Sequence, residues 1–298
     1  MVLSGADTVT DISKEEFQEK YFKPQVPVLI KGFAKKWQDF DQWTLDYIYD
    51  KVGNQEVGLF DNKPADPNKP TNEPVIKMRF RDYINLIKSQ PSDYRIFFYI
   101  ITDHLPELLK NFSYPDLGFK YFKRIPTLFF GGSEARVLMH YDVDLGDLLH
   151  FQFEGKKRVL LFHPDQSPFL YKVPLSVHTV YQIDYENPDY TQFPALQYAK
   201  GYEIFMEHGD ALFMPSGYWH FNRYLEAGFS VSLRSFPTSL SRLLRMLKEV
   251  FIIRNTDKIM RKLFKSRWVR YKQEKAYKNS QKALDDYLKS QSESIEAG

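Results

Sequence analysis

The chain has 298 residues, with 41 Lys and Arg against 38 Asp and Glu for a net charge of +3, and is 43% hydrophobic and 16% aromatic, enough apolar material for one large domain with an appendage. It contains no Cys, which excludes disulfides, thiolate metal sites and a cysteine nucleophile. The first 30 residues carry no apolar leader core and no run approaches the roughly 18 apolar residues of a membrane span, so a soluble, cytoplasmic protein with no membrane partner is expected.

In chain order, Ser13-Lys-Glu-Glu16 reads as a capping box opening a helix from Ser13 to Tyr21. A strand is predicted over Val26 to Ile30 and a second helix over Thr44 to Val52. The Pro-, Asn- and Asp-rich segment Asp61 to Glu73 reads as an exposed loop. Met78 to Ser89 has helical spacing, Tyr94 to Ile101 strand spacing, and Leu105 to Asn111 helical spacing again. From Thr127 to Phe236 short strands and turns dominate, and the load of 25 Phe and 20 Tyr suits a mainly β core. The stretch Asp165 to Lys200 is long for a connector and is expected to act as a lid. The resulting division is a flanking α/β region over 1–120, a β core over 121–237 and a helical extension over 238–298.

The chemistry concentrates in the β region. Val137 to Asp142 reads as a strand end, and the period of two puts His140 and Asp142 on the same side. An H-x-D pair arises by chance in a chain with seven His. Here a lone His220 follows Trp219 downstream, after Gly209-Asp-Ala-Leu-Phe-Met-Pro215. Two imidazoles and one carboxylate form the facial ligand set of a mononuclear non-haem iron(II), with three positions left open, and an oxygenase is the first expectation. Phe151 to Phe162 reads as a hairpin turning at Gly155, whose second strand puts Lys157 on the apolar face of Val159 and Leu161. An ammonium there needs an anionic partner, such as the carboxylate of a cosubstrate. Arg234 shares a face with Ser232 on the last strand and is a second candidate counter-ion. His150 either lines the pocket or packs as a hydrogen-bonded residue, and His178 sits in the expected lid.

The segments Met139-His-Tyr-Asp142, Gly155-Lys-Lys-Arg158, Gly209 to Pro215 and Trp219-His220 resemble, in order, the JmjC or cupin-like branch of the 2-oxoglutarate-dependent oxygenases. The stretch Ile183 to Pro194, with Gly201-Tyr-Glu203, resembles the asparaginyl hydroxylases that act on the hypoxia-inducible factor, and the tRNA wybutosine hydroxylases are similar by pattern. The resemblance runs from about Asp11 to about Phe236. It implies a double-stranded β-helix (jelly-roll) core and the use of Fe(II), 2-oxoglutarate and O2. By the resemblance His140, Asp142 and His220 match the iron ligands and Lys157 matches the lysine that pairs with the distal carboxylate of 2-oxoglutarate. The segment from Asp142 to Gly155 is slightly longer than in relatives, which moves a cosubstrate-holding polar position onto Asp147 or His150. Ser232 stands where a relative carries Asn, and Val137 where a hydroxyl residue is usual. A tyrosine that contacts the same carboxylate in some relatives aligns with Phe97, so Tyr99, two residues on, is the candidate.

Beyond Phe236 the composition shifts. Residues 238–298 hold 15 Lys and Arg against seven Asp and Glu, while the preceding 237 residues hold 26 against 31. Leu240, Leu243, Leu244, Leu247 and Phe251 form an apolar helical stripe, which Ile259, Leu263, Phe264 and Trp268 continue. The stripe is expected to seal a homodimer or an intradomain seam, and the basic face is either solvated or a nucleic-acid surface. Hydroxylation of a protein or peptide side chain is the leading expectation. The alternatives are hydroxylation of tRNA or a small molecule, demethylation of an N-methyl group, and a non-catalytic metal-binding cupin.

Overall fold

The computed structural model describes residues 1–63, 73–110, 112–237 and 239–296. The residues 64–72 of the expected exposed loop and Asn111 lie outside these. The first helix, α1 (Lys14–Phe17), is capped by Ser13, whose Oγ accepts the Glu16 N–H at 3.1 Å. Only half of the capping box forms, because the Glu16 carboxylate turns to Lys20 at 2.7 Å instead. The helix continues as a π turn over Gln18–Phe22. Thr44 caps α2 (Leu45–Val52) in the same way, its Oγ1 accepting from Tyr47 N at 3.1 Å. The third helix, α3 (Phe80–Ser89), starts two residues later than expected. Ile76–Arg79 is drawn into a strand paired with Glu56–Leu59, and tertiary pairing overrides the helical spacing there. A short α4 (Ile101–His104) and a 3-10 turn at Pro106–Lys110 replace the helix expected after Leu105.

The strands in chain order are β1 (Val2–Ser4), β2 (Asp7–Val9), β3 (Val28–Ile30), β4 (Glu56–Leu59), β5 (Ile76–Arg79), β6 (Arg95–Ile100) and β7 (Thr127–Gly131). They continue with β8 (Arg136–His140), β9 (Leu148–Phe153), β10 (Lys157–Phe162), β11 (Lys200–Met206), β12 (Ala211–Met214), β13 (Trp219–Tyr224) and β14 (Gly228–Arg234). One sheet runs β2-β3-β12-β9-β14-β7-β6 and the other β1-β11-β10-β13-β8. From β7 onward the chain crosses from one sheet to the other at every step except β10 to β11, which are antiparallel neighbours in the smaller sheet, and this is the jelly-roll winding of a double-stranded β-helix. The fold is mainly β with flanking helices, as expected.

The alternation of side chains sorts three apolar layers. Leu149, Phe151, Phe153, Phe229, Val231 and Leu233 leave the larger sheet outward and pack on α2 and α3. Leu160, Phe162, Trp219 and Phe221 leave the smaller sheet outward. Between the sheets, Leu148, Leu212 and Met214 meet Val159, Leu161, Ile204 and Met206, filling one part of the barrel and leaving a cup beside them. The hairpin expected over Phe151 to Phe162 does not form, because β9 and β10 belong to different sheets and pair with other strands; the turn that carries the chain from one sheet to the other has positive φ at both Glu154 and Gly155. A Cβ on Gly155 would stand 2.4 Å from the Ala227 carbonyl oxygen, so only glycine fits this turn.

The stretch Asp165 to Lys200 does not close over the cup. Leu170, Tyr171, Val173, Ile183, Tyr185 and Phe193 pack it on the outer face of the smaller sheet. Tyr141 N donates to Val177 O at 3.0 Å and Thr179 N to Met139 O at 3.4 Å, so part of it extends the sheet edge alongside β8. Its apolar residues have more surface to bury there than at an open mouth, and the lid expectation is corrected accordingly.

Past the barrel, α5 (Leu240–Leu247) runs through a π turn into α6 (Arg254–Glu296). Lys265 breaks α6 with φ 47° and ψ −128°. Trp268 Nε1 and Lys272 Nζ both donate to Asp257 Oδ1, at 2.8 and 2.5 Å. A continuous helix would carry those residues roughly 16 and 22 Å away, so the chain folds back at Lys265 into a helical hairpin. Its second limb buries Ala276 and Leu284 and stacks Tyr277 on Phe193 against the 165–200 stretch. The residues Leu240, Leu243, Leu244, Leu247 and Phe251 remain exposed, so the stripe is not an intradomain seam. Among the described residues no helix is long and apolar enough to cross a membrane.

The N-terminal strands are tied on by Asp210. Its buried carboxylate accepts from Gly32 N at 2.9 Å, Glu207 N at 2.8 Å and Lys31 Nζ at 2.8 Å. Asp210→Ala would leave two backbone N–H groups without acceptors, and a loss of about 2 kcal/mol is expected. Urea unfolding followed by fluorescence measures it; a change within experimental error would mean that the junction does not depend on this carboxylate.

Candidate metal and cosubstrate site

His140 ends β8, Asp142 stands in the loop after it, and His220 opens the antiparallel partner strand β13, directly opposite His140 in register. Their ligand atoms all lie within 4.8 Å of one another, close enough to share one ion. His140 Nε2 and His220 Nε2 are 3.7 and 4.0 Å from Asp142 Oδ1. Each imidazole is held from behind by its own chain: His140 Nδ1 lies 2.8 Å from Leu138 O and His220 Nδ1 lies 3.2 Å from Tyr218 O. A carbonyl can only accept, so Nδ1 carries the hydrogen in both and each Nε2 presents its lone pair to the centre of the site. Burial pushes His220 down to about 4, with the nearby His140 adding to the shift. Burial alone would raise Asp142, but the Arg234 guanidinium and then the two imidazoles outweigh it and hold the carboxyl well below the usual range. Two neutral nitrogens and one anionic oxygen converging from one side fit a non-haem iron(II).

Arg234 is not free to act as a second counter-ion for Lys157. Its Nη1 donates to Asp142 Oδ2 at 2.8 Å and to Asp144 Oδ2 at 3.0 Å. This leaves Asp142 Oδ1 as the oxygen facing the imidazoles. The Arg234 Nε atom is buried without a hydrogen-bond partner in the described structure.

Lys157 opens β10 and points into the cup, as alternation predicts, and is only 2% exposed. Among the described residues no carboxylate pairs with it. Its Nζ contacts His150 Nε2 at 3.0 Å and the Ser230 hydroxyl, and sits 4.3 Å over the Tyr224 ring. Gly131 makes room for that ring, since a Cβ there would stand 2.5 Å from it. Burial pushes the Lys157 ammonium well below its ordinary pKa, and a carboxylate entering the cup would offset that cost by pairing with it. Asn222, two residues after His220 on the same face, presents a buried Oδ1 that no group in the described structure satisfies. A buried cation lacking an anion, together with the orphaned Asn222 Oδ1 at the strand position between Tyr224 and His220, fits a small chelating dicarboxylate such as 2-oxoglutarate.

The other expected residues divide. Ser232 is in the cup, where its hydroxyl meets His150 Nδ1 at 2.7 Å. Asp147 is not. Leu148, His150 and Gln152 share the parity that faces inward along β9, so Asp147 turns away, accepting from Ser216 N at 3.0 Å and lying 3.4 Å from Ser235 Oγ. Of the two positions weighed for the polar residue, His150 is the one inside. Tyr99 is also corrected. A bulge between Ile96 and Tyr99, with Phe98 at φ 62°, breaks the assumed alternation with Phe97. Tyr99 therefore pairs with Leu128, packs in the outer core and donates to Gln55 Oε1 at 2.6 Å. Phe98 faces the site instead, its ring 5.6 Å from the Arg234 guanidinium. His178 lies beside His140 in an isolated bridge, its Nε2 2.9 Å from Tyr181 OH. Sequence reasoning missed Ser230, Gln152, Asn222 and Tyr224, although counting in twos from Ser232, His150 and His220 would have found each.

Two predictions follow from this geometry. His220→Ala removes one of three donors and is expected to abolish stoichiometric iron(II) binding in anaerobic titration calorimetry; full stoichiometry would refute the triad. In metal-free protein, burial holds both His220 and His178 down to about 4 from an ordinary 6.5. The unfolded chain then takes up protons first on acidification. Stability is expected to be fully present above about pH 6.5 and to fall as pH drops towards 4, read from urea midpoints across that range; a flat profile would contradict it.

The profile of the cupin-like domain family matches residues 14–236. Lysine-specific demethylase 8 of Xenopus tropicalis is 27% identical over 226 residues, which cover 74% of this chain and 50% of that protein. HSPB1-associated protein 1 of Homo sapiens is 31% identical over 161 residues, covering 53% of this chain and 32% of that protein. The tRNA wybutosine-synthesizing protein 5 of Gallus gallus is 25% identical over 309 residues, covering 90% of this chain and 94% of that protein. The chain thus spans half the length of that demethylase and nearly all of the wybutosine protein. With the jelly-roll winding and the His-Asp-His triad, these matches place the chain in the cupin-like, JmjC-type family of 2-oxoglutarate-dependent oxygenases.

Proposed function

We propose that the protein is an iron(II)- and 2-oxoglutarate-dependent hydroxylase acting on a C–H bond of a macromolecular substrate. The observation that carries this reading is the pairing, in one cup, of the triad with a buried lysine that lacks an anion. Iron(II) and 2-oxoglutarate, when bound, supply an oxidation in which O2 is divided between succinate and a hydroxyl on the substrate, with carbon dioxide released. His140 and His220 offer Nε2, Asp142 offers Oδ1, and Arg234 keeps Oδ2 engaged. Lys157 holds the far carboxylate. Val159, Leu161, Leu212 and Met214 keep the adjoining barrel interior dry. No side chain in the cup is needed as a general base.

A protein or peptide side chain is the first substrate reading, in line with the demethylase-named relatives. The Ile183 to Pro194 stretch no longer supports it, because residues such as Ile183, Tyr185 and Phe193 pack on the outside of the barrel. A tRNA substrate is the second reading. It is favoured by the near full-length match to the wybutosine-synthesizing protein and by the basic extension, on which Lys258, Lys262, Arg267, Arg270, Lys278 and Lys282 are exposed. The exposed stripe from Leu240 to Phe251 supports a homodimer through the C-terminal helices.

Three measurements test these readings. Anaerobically iron-loaded protein, incubated aerobically with a cell lysate and 2-oxoglutarate, is expected to add one oxygen to a peptide or an RNA nucleoside found by mass spectrometry. A gain on RNA only would promote the second reading, and succinate formation insensitive to His140→Ala would sink both. Lys157→Ala is expected to weaken 2-oxoglutarate by about 2–5 kcal/mol, well over tenfold, as a buried charge pair losing one partner does, with iron still bound; an unchanged requirement would remove Lys157 from the site. Leu244→Glu would place unpaired carboxylates in a two-fold seam at several kcal/mol each. Light scattering after gel filtration should then show a dimeric wild type and a monomeric variant, and a monomeric wild type rules the dimer out.

A further inference from the structure

We propose that His150 is a positioning residue that fixes where the Lys157 ammonium stands in the cup, and thereby sets the length of keto diacid that reaches from the metal to it. This rests on the reading of the cup as a 2-oxoglutarate site. An ammonium has three hydrogens and no acceptor capacity. The contact from Lys157 Nζ to His150 Nε2, at 3.0 Å, therefore makes Nε2 the acceptor and puts the imidazole hydrogen on Nδ1. That hydrogen is donated to Ser232 Oγ at 2.7 Å, which keeps the ring in this tautomer. The second hydrogen of Lys157 goes to Ser230 Oγ, whose own hydroxyl donates to Gln152 Oε1 at 2.6 Å. His150 is 5% exposed, Ser232 3%, and Ser230 and Gln152 fully buried, so none of these bonds is shared with bulk water.

A lysine side chain is ordinarily a flexible tether with a point charge at its end. Here its end is pinned between β9 and β14, on the opposite sheet from its own strand, and the Tyr224 ring closes one side. One hydrogen remains for a ligand. A neutral imidazole is the group required, since a protonated one has no lone pair for Lys157 and would repel it. With the triad held at one end of the cup and the ammonium fixed at the other, the reach between them is set, so on the reading of the cup as a 2-oxoglutarate site the five-carbon keto diacid is expected to match it better than its four- or six-carbon homologues. Freed of His150, the ammonium could follow the ligand's end and that match would blur.

The test uses the full chain loaded with manganese(II) and titrated calorimetrically with oxaloacetate, 2-oxoglutarate and 2-oxoadipate. Wild type is expected to prefer the five-carbon acid. His150→Ala should weaken that acid by about tenfold or more, the loss of one charge-assisted hydrogen bond. The six-carbon acid should change far less, so that the preference collapses while manganese affinity stays the same. His150→Gln, which keeps an acceptor, should restore most of the preference. An equal loss for all three acids, or no loss, overturns the positioning role. If His150→Ala does not fold, Ser232→Ala leaves the imidazole in place without its Nδ1 acceptor and should lower the preference in the same direction; an unaltered preference there overturns the proposal too. Failure of wild type to bind any of the three acids with manganese present would instead overturn the reading of the site, and this inference with it.

Discussion

Everything chemical in this protein depends on the antiparallel register of β10 on β13. That pairing sets Leu161 opposite His220, Val159 opposite Asn222 and Lys157 opposite Tyr224. A candidate metal ligand, an orphaned amide and the aromatic cover of a buried ammonium therefore stand at successive inward positions of one strand. Since side chains alternate strictly, a slip of one residue would turn the set outward and bring Trp219 and Phe221 into the cup. The outward neighbours prevent it, because Trp219, Phe221, Leu160 and Phe162 are buried together beneath the 165–200 stretch. Apolar burial on one face thus holds the polar chemistry of the other in place.

Much of this was legible in the sequence, and the failures have a common form. The triad, the inward lysine and the β-rich core follow from strand periodicity and ligand chemistry, and the chain's order of motifs identified the family. Tyr99 was misplaced because alternation was carried through a bulge, and a bulge at Ile96 to Tyr99 leaves no mark on the residue types around it. From sequence, Asp147 and His150 are both open as the polar position, because the length of the segment after Asp142 does not fix the strand's start. Parity along β9 selects His150, and parity is known only once the strand's start is fixed. The strand at Ile76–Arg79 and the packing of the 165–200 stretch are tertiary outcomes, decided by partners distant in sequence. The hairpin at Lys265 was invisible for another reason: neither Gly nor Pro marks the break, and only the shared Asp257 carboxylate discloses it.

The electrostatics of the cup divide between its ends. At the metal end, Asp142, Asp144 and Arg234 form a compact, mutually compensated group with the carboxylate excess that a divalent cation favours. At the other end, Lys157 is surrounded by neutral acceptors and a ring face. An elongated dianion with a chelating head meets complementary charge at both extremities, and its orientation is specified before any shape contact is made.

Tyr141, lying between two members of the triad in sequence, reaches outward rather than inward. Its ring meets Trp219 edge-on, and its hydroxyl lies 3.3 Å from Glu249 Oε1 and 3.3 Å from Lys172 Nζ. The strand that carries His140 is thereby joined to the helical extension through a single side chain. The same outer layer takes in Ala276 and Leu284 from the far limb of the hairpin and, at its margin, Met1 and Leu3. The stretch that defines the family, residues 14–236, therefore shares its outer apolar layer with residues on both sides of it. Cutting the chain at its boundaries would uncover apolar surface behind the His-Asp-His triad, so the wall on which that triad stands belongs in part to the helical extension.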